Sequence, residues 1–247
     1  MSAMRLDKYL ALSGERTRSE AARAVRAGQV RINGVPARDP AVKLADGDEV
    51  TLAGVPVLDR SFQYYMLHKP AGVLTASRDS RAGTVMDLVP EALLRRKVLP
   101  VGRLDKDTTG LLVLTNDGAL AHALLNPKRH VWKRYIARVS GRLDEADAEA
   151  FAAGMALDDF VAKPAKLAIL RAEEAESLAA VELREGKFHQ VKRMFLARGH
   201  EVLALHRAAF GPLTLSDGLQ PGGFCELTAA QVRALKDAVA KPESGEG

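Results

Sequence analysis

The sequence predicts an α+β protein of two domains: a small front domain of helices and short strands, then a larger one whose mixed, largely antiparallel sheet is flanked by helices. Three observations carry that expectation. Strand-like and helix-like segments interleave unevenly through the larger part, with neither a strict βα alternation nor a helix-free series of strands. A stretch without useful helical or strand pattern, residues 54–62, separates two regions that each have an apolar periodicity of their own. A length of 247 residues suffices for one large or two modest domains, each with a core. The expected division is therefore 1–53, a linker at 54–62, 63–240, and a disordered tail at 241–247.

In the front domain, Leu6, Tyr9 and Leu10 share one helical face, and Ser13-Gly14 ends that segment. Thr17-Arg18-Ser19-Glu20 is a capping box that starts a second helix, closed by Gly28. At about 100° per residue, Ala21, Ala24 and Val25 fall on the core side while Arg23 and Arg26 fall away from it. Gln29-Val30-Arg31-Ile32 alternates like a strand, and Asn33-Gly34 is a strong hairpin signal with Val35-Pro36-Ala37 as the return. A turn at Asp46-Gly47-Asp48 leads into a last strand, Glu49 to Leu52. Arg5, Lys8, Arg16, Arg18, Arg23, Arg26 and Arg31 gather here, while the acids lie mostly in the later turns, so a basic face is expected.

The larger domain begins with a strand, Tyr64 to Leu67, stopped at His68-Lys69-Pro70, with extended structure resuming at Gly72 to Thr75. Val98-Leu99-Pro100-Val101 and Leu111-Leu112-Val113-Leu114 read as buried strands. Further strands are expected at Lys133 to Val139, Ala165 to Arg171, Leu178 to Arg184 and Val202 to Phe210. Helices are expected at Val85 to Leu94, Ala119 to Leu125, Glu145 to Ala153, Gln190 to Arg198 and Ala229 to Ala240, the last opened by the capping box Thr228-Ala229-Ala230-Gln231.

Composition narrows the function. Lys and Arg total 36 against 31 Asp and Glu, a net charge of +5 that suits a polyanionic partner. The single cysteine, Cys225, excludes an internal disulfide and a cysteine-based metal cluster and fits a reducing compartment. No run approaches the roughly 18 apolar residues of a membrane helix, and Met1 leads into folded-looking sequence with no signal peptide. The cytoplasm is the expected location, and no membrane or metal is expected to take part.

The run Gly102-Arg103-Leu104-Asp105-Lys106-Asp107-Thr108-Thr109-Gly110-Leu111 places a carboxylate and a guanidinium in a glycine-bounded loop between two apolar strands. It closely resembles the catalytic motif of the pseudouridine synthases, which detach uracil from its ribose in RNA and rejoin it through carbon. The resemblance implies that Asp105 is the catalytic carboxylate. It also implies that Arg103 occupies the space vacated by the everted base or holds the flipped backbone, tasks suited to a planar fork of donors. His130-Val131-Trp132-Lys133-Arg134-Tyr135-Ile136-Ala137 is similar to the family's second motif, whose tyrosine packs against the target base; Tyr135 is that position. Arg184 to Phe195 is similar to the third, in which Lys192 is the cation expected to pair with Asp105. Arg5 to Leu10, Thr17 to Ala21 and Gly28 to Gly34 resemble the small alpha-L RNA-binding module, which grips structured RNA by shape and phosphate contacts.

The chemistry implied is an isomerisation with no net oxidation, hydrolysis or group donor, so no cofactor is expected. A carboxylate acting as nucleophile or base near carbon 1 of the sugar must stay ionised. A cation within about 4–6 Å opposes the upward shift that burial causes, the role the resemblance assigns to Lys192. A glycosidase would need a second carboxylate across the bond, and no such role is assigned to Asp107. The base is stacked in folded RNA and must be extruded first.

Resemblance spans nearly the whole chain and is closest to the branch that modifies one uridine of small-subunit ribosomal RNA, through the wording Phe188-His189-Gln190-Val191-Lys192-Arg193-Met194-Phe195. The implied partner is small-subunit ribosomal RNA or an assembly intermediate, met by a monomer. Alternatives are the sister branch acting on large-subunit RNA and a non-catalytic assembly factor. An RNA methyltransferase lacks support, since no glycine-rich strand-to-helix turn followed by an acidic ribose partner is present. A metal enzyme has no histidine pair at ligand spacing to draw on.

Overall fold

The computed structural model describes residues 4–13, 16–45, 48–57 and 62–240. Gly14, the Asp46-Gly47 turn, part of the expected linker and the 241–247 tail lie outside the described residues. The chain divides into two compact units, Met1–Gln63 and Tyr64–Gly247.

In the first unit, helix α1 (Leu6–Leu12) and helix α2 (Arg18–Arg26) bury Leu6, Leu10, Ala21, Ala24 and Val25 against Val30, Leu44 and Val50. The capping box forms: the Thr17 hydroxyl accepts from the Glu20 N–H at 3.3 Å, and the Glu20 carboxylate accepts from the Thr17 N–H at 2.6 Å. Strands Val30–Ile32, Val35–Pro36, Val50–Leu52 and Val55–Pro56 form an antiparallel sheet with the 30–32 and 50–52 strands at its centre. The Asn33-Gly34 hairpin has both residues at positive φ, 51° and 81°, as a type I′ turn requires. A second hairpin turns through Ala53 and Gly54, also at positive φ, so the expected linker begins with a strand. Alanine is rare in that conformation, and only Gly54 in the local sequence favours the turn.

Asp7 is a buried carboxylate at the start of this unit. Arg5 donates to it at 2.8 and 3.2 Å and Arg18 at 3.3 Å. The Arg5 bond holds the Asp7 pKa at about 2, with Arg18 adding to the effect against the opposing pull of burial. A carboxylate lowered from its usual ~3.9 contributes stability above pH ~4 that is lost as pH falls towards 2. Screening of the half-exposed arginines limits the contribution to about 1–2 kcal/mol. Asp7→Asn should therefore weaken amide-exchange protection of residues 4–57 by about that amount at pH 7 and by almost nothing at pH 2. Equal losses at both pH values would refute the linkage.

The larger unit is built on one sheet. Its strands run in the spatial order Lys166–Ala172, Glu176–Leu183, Lys133–Ser140, Val202–Phe210, Thr109–Thr115, Tyr64–Lys69 and Phe224–Glu226. Among these, only the 202–210 and 109–115 strands pair in parallel. Leu111 to Leu114 is buried on both faces, which explains its unbroken apolar run. Helices α5 (Glu145–Ala153) and α6 (Gln190–Ala197) cover one face, where Phe151 and Phe195 pack with centroids 4.9 Å apart. Helices α4 (Gly118–Leu125) and α7 (Ala229–Ala240) cover the other through Leu120, Leu124, Leu235 and Val239. The Thr228–Gln231 capping box is formed at the start of α7.

Three expected elements differ. The helix expected over Val85 to Leu94 is two pieces, a 3-10 turn at Val85–Leu88 and the short helix α3 (Glu91–Arg95). Pro90 removes a donor and forces Val89 into an extended conformation, φ −114° and ψ 150°. Gly72 to Thr75 makes only an isolated bridge, between Leu74 and Thr84. The 98–101 run shortens to a two-residue strand, Leu99–Pro100, and it is not buried throughout as expected: Val98 and Val101 are buried, while Leu99 is exposed. Gly110 is required sterically: at φ 109°, a Cβ would lie 2.3 Å from the Arg207 carbonyl oxygen of the neighbouring parallel strand.

Candidate active site

The 102–108 loop is held from beneath by groups that the sequence did not single out. The Thr75 hydroxyl donates to the Leu104 carbonyl at 2.7 Å and accepts from the Leu104 N–H at 3.1 Å. The Gly72 N–H donates to the Lys106 carbonyl at 2.8 Å. Lys69, wholly buried at the end of its strand, donates to the carbonyls of Pro70 at 3.0 Å, Lys106 at 3.2 Å and Thr108 at 2.9 Å. Burial pushes the Lys69 ammonium down to about 8, with Asp107 and Asp105 pulling the other way. In the sequence, Lys69 marks only the end of a strand, because its three acceptors are backbone atoms from two segments nearly forty residues apart.

Above this base, Asp105 lines a small open cleft of about 70 Å³ together with Arg103, Tyr135, Lys187, His189 and Gln190. Tyr135 reaches it from the 133–140 strand, in the inward register shared with Ala137 and Val139. Arg103 is exposed at the rim, and among the described residues it has no ion-pair partner. Lys192 and His189 come from the opposite wall, at the start of α6. The Lys192 ammonium is 3.9 Å from one Asp105 oxygen, and His189 Nε2 is 3.5 Å from the other.

Lys192 departs from the expected simple pairing with Asp105. Its hydrogen bonds go to both oxygens of Asp107, at 2.6 and 2.7 Å, and they hold the Asp107 carboxyl below the usual carboxylate range. Asp107 lies two residues along the loop and reaches the ammonium from the solvent side, so one cation serves two carboxylates. Arg193 turns away, to Asp159 and the face of the Phe160 ring.

The turn that delivers α6 is rigid. Gln190 is buried, accepts from the Lys187 N–H at 3.1 Å and donates to Glu185 at 2.9 Å; Glu185 also accepts from the Lys163 N–H at 2.6 Å. His189 occupies the left-handed region at φ 50°, uncommon for a residue other than glycine. That conformation turns its ring towards Asp105, a placement with no signal in the sequence.

On the first unit, Arg5, Lys8, Arg16, Arg18, Arg23, Arg26 and Arg31 are all exposed. Arg5 and Arg18 are tied to Asp7, and Arg31 donates to the Gly34 carbonyl at 2.9 Å. Lys8, Arg16, Arg23 and Arg26 form no ion pair with another described residue, which leaves their charge available to a polyanion. Among the described residues, no cluster of His, Cys, Asp and Glu is placed to hold a metal ion, and no helix is long and apolar enough to cross a membrane.

Comparison with known proteins adds independent findings. The family model described as RNA pseudouridylate synthase matches residues 63–197, and that of the S4 domain matches residues 4–50. An uncharacterised RNA pseudouridine synthase of Bacillus subtilis is 43% identical over 95% of this chain and 99% of its own. The ribosomal small subunit pseudouridine synthase A of Yersinia pestis is 35% identical, covering 94% of this chain and 98% of its own. The ribosomal large subunit pseudouridine synthase B of Bacillus subtilis is also 35% identical, covering 94% and 95%. A crystal structure of a pseudouridylate synthase superposes with a TM-score of 0.66 at 34% identity, covering 94% of this chain and all of the other.

Proposed function

Since the chain belongs to the RNA pseudouridylate synthase family and carries an S4 domain, we propose that its cleft isomerises one uridine of small-subunit ribosomal RNA, with Asp105 as the reacting carboxylate. The observation that carries this reading is the Asp105 carboxylate lining a cleft beside Tyr135, with an ammonium 3.9 Å away.

In the reaction the bond from N1 of uracil to carbon 1 of the ribose breaks, and a bond from C5 to the same carbon forms. The proton lost from C5 is balanced by the one gained at N1, so the product is an isomer. Ionised Asp105 acts on the sugar as nucleophile or base. Lys192 sets a positive charge 3.9 Å from that carboxylate, and Asp107 holds Lys192 in place. Tyr135 packs on the everted uracil, a contact worth about 1–3 kcal/mol. Arg103, at the rim, fills the vacated stack or holds the flipped phosphate. Lys8, Arg16, Arg23 and Arg26, with Arg5, Arg18 and Arg31, supply phosphate contacts that position the RNA without reading its sequence. The enzyme works as a monomer in the cytoplasm.

Support for the small-subunit target is the wording of the Phe188 to Phe195 segment; overall identity does not separate relatives named for the two subunits, both at 35%. Carbodiimide mapping of pseudouridine in both ribosomal RNAs, with and without the gene, tests it. One small-subunit signal should vanish on deletion. It should return with the wild-type gene and stay absent with Asp105→Asn. Loss from the large subunit instead would transfer the enzyme to that substrate.

A further inference from the structure

Phe188, next in the chain to the cleft-lining His189, has 71% of its surface exposed. Its ring lies nearly parallel to that of His189, with centroids 3.8 Å apart and planes 19° from parallel. His189 is in turn 3.5 Å from Asp105. The two rings therefore form a short column that starts at the reacting carboxylate and ends on a phenyl face open to solvent. A lone exposed apolar side chain is ordinary on a protein surface; what sets this ring apart is that it stacks on one that lines the cleft. Gln190, Glu185 and the left-handed backbone of His189 fix the turn.

We propose that Phe188 is a substrate-binding residue: its open face takes an unpaired base of the same RNA strand, next to the everted uridine. The inference rests on the reading of the Asp105 cleft as the site of isomerisation. The ring spacing of 3.8 Å is close to the ~3.4 Å separation of stacked bases, so a base on Phe188 continues the column. When the target nucleotide leaves the stack to reach Asp105, its neighbour loses a stacking partner, and Phe188 replaces it. A phenyl ring has no hydrogen-bonding groups, so the platform holds any base and tightens binding without reading sequence.

The test uses the full chain and a transcript of the ribosomal RNA segment bearing the mapped uridine. Phe188→Ala should lower kcat/KM by about tenfold to a hundredfold, read mainly in KM, as expected for loss of one stacked base. Phe188→Trp should restore it to within ~3-fold, while Phe188→Leu, apolar but without a π face, should not. 2-Aminopurine placed beside the target uridine should be quenched on binding by the wild type and not by Phe188→Leu. Full activity of Phe188→Leu, or a loss confined to kcat, would overturn the proposal. If Phe188→Ala matches the wild type while Asp105→Asn is inactive, the stacking role alone fails; if Asp105→Asn retains turnover, the reading of the cleft fails first.

Discussion

Asp105→Asn should bind RNA with unchanged affinity and lose turnover by about ten-thousandfold, the scale seen when a reacting side chain is removed. The amide is the same size as the carboxylate, so the contacts that seat the loop survive: Thr75 with Leu104, Gly72 with Lys106, and Lys69 with three carbonyls. What disappears is the anionic oxygen that must act at carbon 1 of the sugar. Lys192 keeps its two bonds to Asp107 in this variant, so the cleft is not left with an unpaired ammonium. Release of tritium from uridine labelled at C5 measures the reaction directly, because that hydrogen leaves when the carbon bond forms. Turnover within tenfold of the wild type would remove Asp105 from the mechanism.

Lys69→Met should cost about a hundredfold in kcat and about 1–3 kcal/mol of stability in the larger unit, with RNA binding by the first unit retained. Two opposing effects set the stability figure. Removing a wholly buried ammonium relieves its desolvation, but three carbonyls lose their donor and an unbonded buried acceptor is costly. The activity loss has a separate origin, because displacing Asp105 by about 1 Å is enough to cost a hundredfold.

The pH dependence follows from the position of Lys69 near 8, below its unfolded value of about 10.4. Between those pH values the unfolded chain binds more protons, so this group adds stability as pH rises from about 8 to about 10. Activity moves the other way: a neutral amine has two N–H groups for three carbonyls, and kcat should fall through about pH 8. Lys133, also pushed to about 8 by burial, titrates in the same range. The comparison that isolates Lys69 is therefore loss of the alkaline limb's Lys69 component in the methionine variant. An unchanged limb with full activity would show that the strut is dispensable.

Features governed by a few neighbouring residues were legible before any coordinates. The Thr17–Glu20 and Thr228–Gln231 boxes and the Asn33-Gly34 turn are closed by hydrogen bonds or dihedral angles local to their own residues. The single helix expected over 85–94 is broken at Pro90, where the ring forces the preceding residue out of the helical region. The hairpin through Ala53 was hidden because its backbone is imposed by pairing with the 50–52 strand and not by residue type.

By itself, the sequence determined the α+β class, the two-part organisation and the three motifs that carry Asp105, Tyr135 and Lys192, since each is written in contiguous residues. Tertiary structure alone decided how those residues are held and paired. It put Lys69 beneath the loop, divided Lys192 between Asp107 and Asp105, and turned His189 with its stacked Phe188 towards the cleft. These contacts join segments far apart in the chain, at distances of a few ångströms where electrostatic energies change steeply. Spacing along a sequence does not encode separations of that kind; packing of the sheet and its helices sets them.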